Sequence, residues 1–210
     1  IKSSAIRLIF PPVLLWDLLK FVVNQLAGEL VGKLVLPAQD RDFWHFQLAS
    51  LPKGLGHYEH TIVTHDEARL DTLEIEPISQ KNLEPKNKKY IINFVGNIMG
   101  YEDIINTMQT DAEALQYNII GFNFRGVNKS TGCARSTKDL VTDAIAQIQR
   151  LLDQGVPPGN ITLKGYSIGA AIATLAAHHL HQQGHTVNLF NDRSFSSITN
   201  IIVGHIRTEF

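Results

Sequence analysis

The sequence predicts an α/β fold: a mostly parallel sheet with helices on both faces, entered through an N-terminal antiparallel hairpin. Three observations predict it. Short apolar runs from Tyr90 onward have the character of strands buried on both sides. Runs with helical spacing separate them, which is the alternation that builds βαβ units. Ahead of these, two period-2 runs flank a short polar break, the pattern of a hairpin.

The elements follow in order. Residues 1–40 are expected to form an N-terminal amphipathic helical segment, and residues 55–210 the sheet core. In LIFPPVLLWDLLKFVVNQLAGEL (8–30), Pro11 and Pro12 suit a helix start, and Asp17, Lys20 and Asn24 make one narrow polar stripe on an apolar helix. Such a helix either docks on the rest of the protein or lies on a membrane or partner surface. The proline pair and Asp17 interrupt the apolar run, which argues against a secretory signal. No segment reaches the roughly 18 to 20 uninterrupted apolar residues of a membrane span. In GHYEHTIVTHDEARLDTLEIEP, the alternation at His60, Ile62 and Thr64 stops at His65-Asp66-Glu67 and resumes at Leu70, Thr72 and Glu74. A polar connector with Pro85 and four lysines follows.

From Tyr90 the rhythm changes. YIINFVGN reads as a buried strand, and EDIINTMQTDAEALQYN as a helix with Ile104, Ile105, Met108, Ala112 and Leu115 on one face. NIIGFNFRG is the next strand. STKDLVTDAIAQIQRLLDQG is a helix capped near Thr137 and ended by Gly155, with Leu140, Val141, Ala144, Ile145, Ile148, Leu151 and Leu152 inward. ITLKGYS, IGAAIATLAAHHLHQQG and TVNLFND complete a strand–helix–strand run.

Composition narrows the function classes. At 210 residues, 44% hydrophobic and 19% charged, the chain can bury a full core. A net charge of -1 argues against a nucleic-acid partner, which needs a basic face to neutralise phosphates. The single cysteine, Cys133, rules out an internal disulfide framework and fits a reducing compartment. The chain opens on Ile1 and closes on IIVGHIRTEF without a stop signal, so a fragment of a longer protein, lacking the last strands, is expected.

The chemistry concentrates at Gly165-Tyr166-Ser167-Ile168-Gly169, between a strand and a helix. In a parallel sheet, ligands sit outside the carboxyl ends of the strands, where Ser167 falls. A nucleophile raised to the tip of a tight strand-to-helix turn has close neighbouring chains, which small residues two before and two after tolerate. The helix N-terminus adds partial positive charge where an oxyanion would form. The alternative is a glycine pair that eases packing around a passive serine. A second backbone donor is expected from Phe94–Gly100, where Gly96 lets the chain approach and the Asn97 N–H joins that of Ile168. The alternative for Gly96 is an ordinary strand-ending turn.

The segment from about Tyr58 to Ile202 resembles the α/β-hydrolase family. THDEARLDTLEIEP resembles its opening hairpin, and NFVGN stands where many members carry a His-Gly-Asn oxyanion strand. GFNFRGVNKSTG is similar to its Tyr-Arg-Gly…Ser-Thr-Gly loop, KGYSIGAAIA to its nucleophile elbow, and LFNDRSFSSI to the strand that follows. The resemblance implies Ser167 as nucleophile, Asn97 and Ile168 as main-chain oxyanion donors, and Arg125 and Gly126 as shapers of the neighbouring loop. It implies no cofactor and no metal. Val95 replaces the usual histidine before Gly96, and Asn123 stands where an Asp is common. NDRSFSSI, with the long N-terminal region, resembles the SidB-like effectors that Legionella delivers by its Dot/Icm system. That implies the cytoplasm of the producing cell, delivery into a host cell, and association with a membrane surface through residues 8–30.

A serine hydroxyl is a weak nucleophile without a base, and the base needs an orienting acid. The family order is Ser, then Asp or Glu, then His, so the His is expected beyond residue 210. Asp192, ending the next strand, is a candidate acid or a turn cap. His205 reads as a surface or packing residue. His178, His181 and His185 share a helix side, but that helix carries them about 15 Å or more from Ser167, and a solvated helix end is the simpler reading. The expected function is hydrolysis of an ester or thioester, with lipid-derived acyl groups among the candidate substrates. The alternative is a non-catalytic binding or membrane-targeting module.

Overall fold

A computed structural model describes residues 54–97 and 99–194. The expected helix over residues 8–30, together with His205, lies outside the described residues. A hairpin opens the described chain: β1 (Leu55–Val63) and β2 (Arg69–Pro77) pair antiparallel, Leu55 opposite Pro77 and Val63 opposite Arg69. Then come β3 (Tyr90–Phe94), α1 (Ile105–Leu115), β4 (Asn118–Phe122), α2 (Thr137–Asp153), β5 (Ile161–Tyr166), α3 (Ile168–Gln182) and β6 (Asn188–Asp192). The strands form a six-stranded sheet in the order β1-β2-β4-β3-β5-β6. β2 joins β4 antiparallel, and the β4-β3, β3-β5 and β5-β6 pairs are all parallel. This is the expected mixed sheet.

Both faces are covered, which is why the central strands read as unbroken apolar runs. Ile120 and Phe122 of β4, Ile92 and Phe94 of β3 and Leu163 of β5 point toward α2 and α3. Phe122 meets Phe94 edge-on at 5.3 Å between ring centres. On the opposite face, Leu73, Ile75, Ile91 and Ile119 pack on Ile105, Met108 and Ala112 of α1. Leu115, expected on that inward face, is instead exposed at the helix end.

α2 starts at Thr137, with its cap next to the position expected. Ser136 is its cap, and its N–H donates to Asp139 Oδ2 at 2.9 Å. Its inward face follows the apolar spacing and adds two polar residues. Leu140, Ala144, Ile148 and Leu151 are buried, Val141, Ile145 and Leu152 pack part-buried against the same core, and Asp143 and Gln147 are buried beside them. Partners explain the buried polar pair. Gln147 Nε2 donates to Thr72 Oγ1 of β2 at 2.8 Å, and Asp143 holds Arg125.

Candidate active site

β5 ends at Tyr166 and α3 starts at Ile168, so Ser167 alone makes the turn. Its backbone sits at φ 55° and ψ −120°, a left-handed conformation that costs a non-glycine residue about 1–3 kcal/mol. Packing imposes it. A Cβ on Gly165 would lie 2.7 Å from the Ala170 nitrogen, and one on Gly169 would run into the carbonyls of Phe94 and Val95. Both positions therefore require glycine, because the first turn of α3 rests directly on β5 and on the end of β3. The Ser167 N–H donates to the Asp192 carbonyl at 3.0 Å, and the Ser167 carbonyl accepts the N–H groups of Ala170 and Ala171. Ile168, buried at the first position of α3, has an N–H with no acceptor inside the helix.

Sheet order brings the other loop alongside. β3 lies between β4 and β5 with Phe94 opposite Gly165, so the chain beyond Phe94 emerges next to Tyr166 and Ser167. Gly96 is needed there too, since a Cβ on it would come within 2.9 Å of the Tyr166 ring. Asn97 follows in an exposed turn. Val95 is buried, and its carbonyl is one of the two that face Gly169.

The far end of this loop is held by polar groups, of which sequence reasoning singled out Asn123 but not Asp71, Glu102, Asp103 or Asn128. The Tyr101 N–H donates to Asn123 Oδ1 at 3.1 Å, and the Gly100 N–H to Asp103 Oδ2 at 3.0 Å. Asn123, fully buried, donates through Nδ2 to Glu102 Oε1 at 2.9 Å and more weakly to Asp71 Oδ2 at 3.5 Å. Asn128 donates to the other Glu102 oxygen at 2.8 Å. Burial pushes the carboxyls of Glu102 and Asp71 above the ordinary range, and burial with the nearby Asp71 charge raises the Tyr101 hydroxyl far above its own. Asn123 is thus the neutral donor between two carboxylates. An Asp in its place would add a third.

Arg125 fixes the loop after β4. Its Nε donates to Asp143 Oδ1 at 2.8 Å and its own N–H to Asp143 Oδ2 at 2.8 Å. Its other nitrogens reach Asp66 in the hairpin turn at 2.6 and 3.1 Å. Burial pushes Asp143 up to about 6, although Arg125 favours its charged form. Asp66, more open, is held well below the usual carboxylate range by its bonds to Arg125.

Asp192 lies at the end of β6, opposite Tyr166. Its half-exposed carboxylate is 3.5 Å from Arg193 Nε, and the Arg193 guanidinium stacks 5.7 Å above the Tyr166 ring. Beside it opens a cleft of about 120 Å³ on the α1 side, floored by Asn93 and Lys164 and rimmed by Gly96, Met99, Tyr166 and Phe190. Lys164 Nζ is paired with Asp111 at 2.5 Å. His178, His179, His181 and His185 cluster around the other end of α3, ten residues or more past its start. His57 and His60 lie on β1, with His60 Nε2 3.3 Å from Glu74. No group of three or more His, Cys, Asp or Glu that could hold a metal ion occurs among the described residues.

Residues 43–207 match the family described as Chlamydia CHLPS protein (DUF818). The chain belongs to that family. This CHLPS-family chain has the α/β-hydrolase fold. It is similar to an alpha-beta hydrolase from Vibrio vulnificus, with a TM-score of 0.66 and 22% identity, covering 84% of this chain and 61% of that one. It is also similar to an esterase from Pyrococcus furiosus, with a TM-score of 0.53 and 18% identity, covering 73% of this chain and 55% of that one. Among curated relatives, it is 30% identical over 119 residues to the multifunctional-autoprocessing repeats-in-toxin protein of Vibrio cholerae, 56% of this chain but 3% of the toxin. It is 48% identical over 44 residues to an acetyl-hydrolase from Streptomyces hygroscopicus, 21% of this chain and 15% of that enzyme. The CHLPS-family chain thus spans a small part of the curated relatives it matches.

Proposed function

We propose that the protein is a serine hydrolase acting on carboxylic esters or thioesters. The observation that carries this reading is Ser167, held at positive φ between two glycines that no larger residue can replace, beside the loop that follows β3. The Ser167 hydroxyl attacks the substrate carbonyl carbon, and the N–H groups of Asn97 and Ile168 receive the negative charge that develops on its oxygen. The serine proton passes to a histidine contributed from beyond residue 210, which returns it to the leaving group. Asp192, adjacent to the turn, is the candidate acid that orients that histidine. Water then releases the acyl group. The esterase and acetyl-hydrolase relatives support an ester as the substrate class.

The 119-residue match to a Vibrio toxin, together with the resemblance to Legionella effectors, supports delivery of the protein into a host cell. Its acyl substrates would then include host lipids. A second reading, a non-catalytic binding or membrane-targeting module, draws on the apolar segment 8–30. A fluorophosphonate probe decides between them. With the intact protein, labelling that disappears in Ser167→Ala supports the hydrolase. Folded intact protein that never labels leaves the binding module.

A further inference from the structure

The Asn97 N–H takes its direction from the chain on both sides of it. On the near side the Val95 carbonyl meets Gly169 of α3, and Gly96 lies against the Tyr166 ring. Gly96 has no Cβ to fix the peptide that follows, so this side alone leaves the N–H free to swing. Asn97 itself is exposed. The far side therefore aims it, and there the chain is gripped at Gly100 and Tyr101. The Tyr101 N–H donates to Asn123 Oδ1 at 3.1 Å, the Gly100 N–H to Asp103 Oδ2 at 3.0 Å, and the Tyr101 hydroxyl to Asp71 Oδ2 at 3.1 Å. A Cβ on Gly100 would run into Asn123, Asn128 and Glu102, so the backbone rests directly on those side chains.

Asn123 is a fixed reference for that grip. It is fully buried just past the end of β4. Its N–H donates to the Asp71 carbonyl at 2.9 Å, and its carbonyl accepts the Ser130 hydroxyl at 2.8 Å. Its Nδ2 donates to Glu102 Oε1 at 2.9 Å, while Asn128 holds the other Glu102 oxygen at 2.8 Å. Backbone and side chain are both pinned, so the rotamer that presents Oδ1 to Tyr101 is locked. We infer that Asn123 is a positioning residue for the hydrolysis: through Tyr101 and Gly100 it holds the Asn97 N–H on the oxyanion. The inference rests on the hydrolase reading, in which that N–H and that of Ile168 share the developing charge. Asn123 acts through the loop and not on the reacting atoms, since β3 stands between β4 and the strand that ends at Ser167. The leverage is large. A displacement of about 1 Å at a reacting centre costs on the order of 100-fold in rate, and loss of one oxyanion donor roughly 100- to 1,000-fold.

The test compares two substrates of the intact protein, 4-nitrophenyl acetate and its thiono analogue, in which sulfur replaces the carbonyl oxygen. Sulfur accepts hydrogen bonds weakly, so the thiono ester gains little from oxyanion donors. The oxygen-to-sulfur rate ratio therefore reports the donors, and the fraction of folded protein cancels from it. Asn123→Ala is expected to lower kcat for the oxygen ester roughly 10- to 100-fold with KM little changed. The thiono ester should change far less, so the ratio falls about tenfold or more. Glu102→Gln, which puts a donor where one of the two amides needs an acceptor, is expected to lower the ratio by a smaller factor. Gln147→Ala, which loses only the bond to Thr72 on the other face of the sheet, should reduce stability and leave the ratio unchanged. Equal losses on both esters in Asn123→Ala and Glu102→Gln overturn the inference, because the amide then only holds the fold. A raised KM at unchanged kcat overturns it as well. Wild-type protein that cleaves neither ester and takes no fluorophosphonate label overturns the hydrolase reading, and the inference with it.

Discussion

The side-chain amide of Asn123 donates to the carboxylate of Glu102 at 2.9 Å while its oxygen accepts the N–H of Tyr101 at 3.1 Å. One buried amide thereby ties the loop after β3 to the start of the loop after β4, and only a side chain with both a donor and an acceptor can do so.

Asn123→Asp is therefore expected to destabilise the fold at pH 7.5 by about 1–3 kcal/mol, through an acceptor facing acceptors. The native pKa values of Glu102 and Asp71 are already raised, so the folded variant takes up protons more readily than the unfolded chain. The deficit should shrink as pH falls from 7.5 toward 5. Urea unfolding at both pH values reads it, and a deficit as large at pH 5 contradicts the arrangement.

Arg125→Ala leaves the Asp143 carboxylate buried without its cation, an expected loss of about 3–5 kcal/mol at pH 8. Asp143 titrates near 6 in the folded protein even with Arg125 present, and higher without it. Its folded pKa lies above the unfolded value, and higher still in the variant, so the destabilisation is greatest at alkaline pH and eases as pH falls toward about 6. Adding Asp143→Asn should recover part of the loss at pH 8. No recovery would place the cost elsewhere.

Ser167→Gly relieves a left-handed conformation that Ser167→Ala retains. The glycine variant is expected to unfold at a higher temperature than the alanine variant, by the equivalent of about 1 kcal/mol. Differential scanning calorimetry compares the two. A glycine variant less stable than the alanine one would mean that the turn is not strained.

Gly169→Ala should cost about 3 kcal/mol or more, because the new methyl meets backbone carbonyls that have no rotamer to escape to. Gly159→Ala, with no atom within 4 Å of the added group, should be nearly neutral. Chemical denaturation of the pair checks this, and equal stabilities would refute the close approach of α3 to β3.

Much of this architecture was legible in residue order. Period-2 runs announced the β1–β2 hairpin, and unbroken apolar runs the strands covered on both faces. Gly165 and Gly169 pointed to a crowded turn at Ser167. Apolar spacing found the inward side of α2, Val141 and Ile145 included, but missed Asp143 and Gln147, because it has no means of knowing that Arg125 and Thr72 satisfy them there. The polar knot of Asp71, Glu102 and Asn123 was hidden for a related reason. Its members are up to 52 residues apart and meet only when β2 and the loops after β3 and β4 converge.

The contact of Gly169 with the carbonyls of Phe94 and Val95 has a mechanical meaning. Backbone pressed on backbone leaves no compliant side chain between the serine turn and the β3 loop, so neither can shift without dragging the other. The turn and the loop behave as a single stiff casting. In the proposed hydrolase, accommodation of acyl groups of different size would then fall to softer walls, such as the thioether of Met99 and the ring of Phe190 at the rim of the neighbouring cleft.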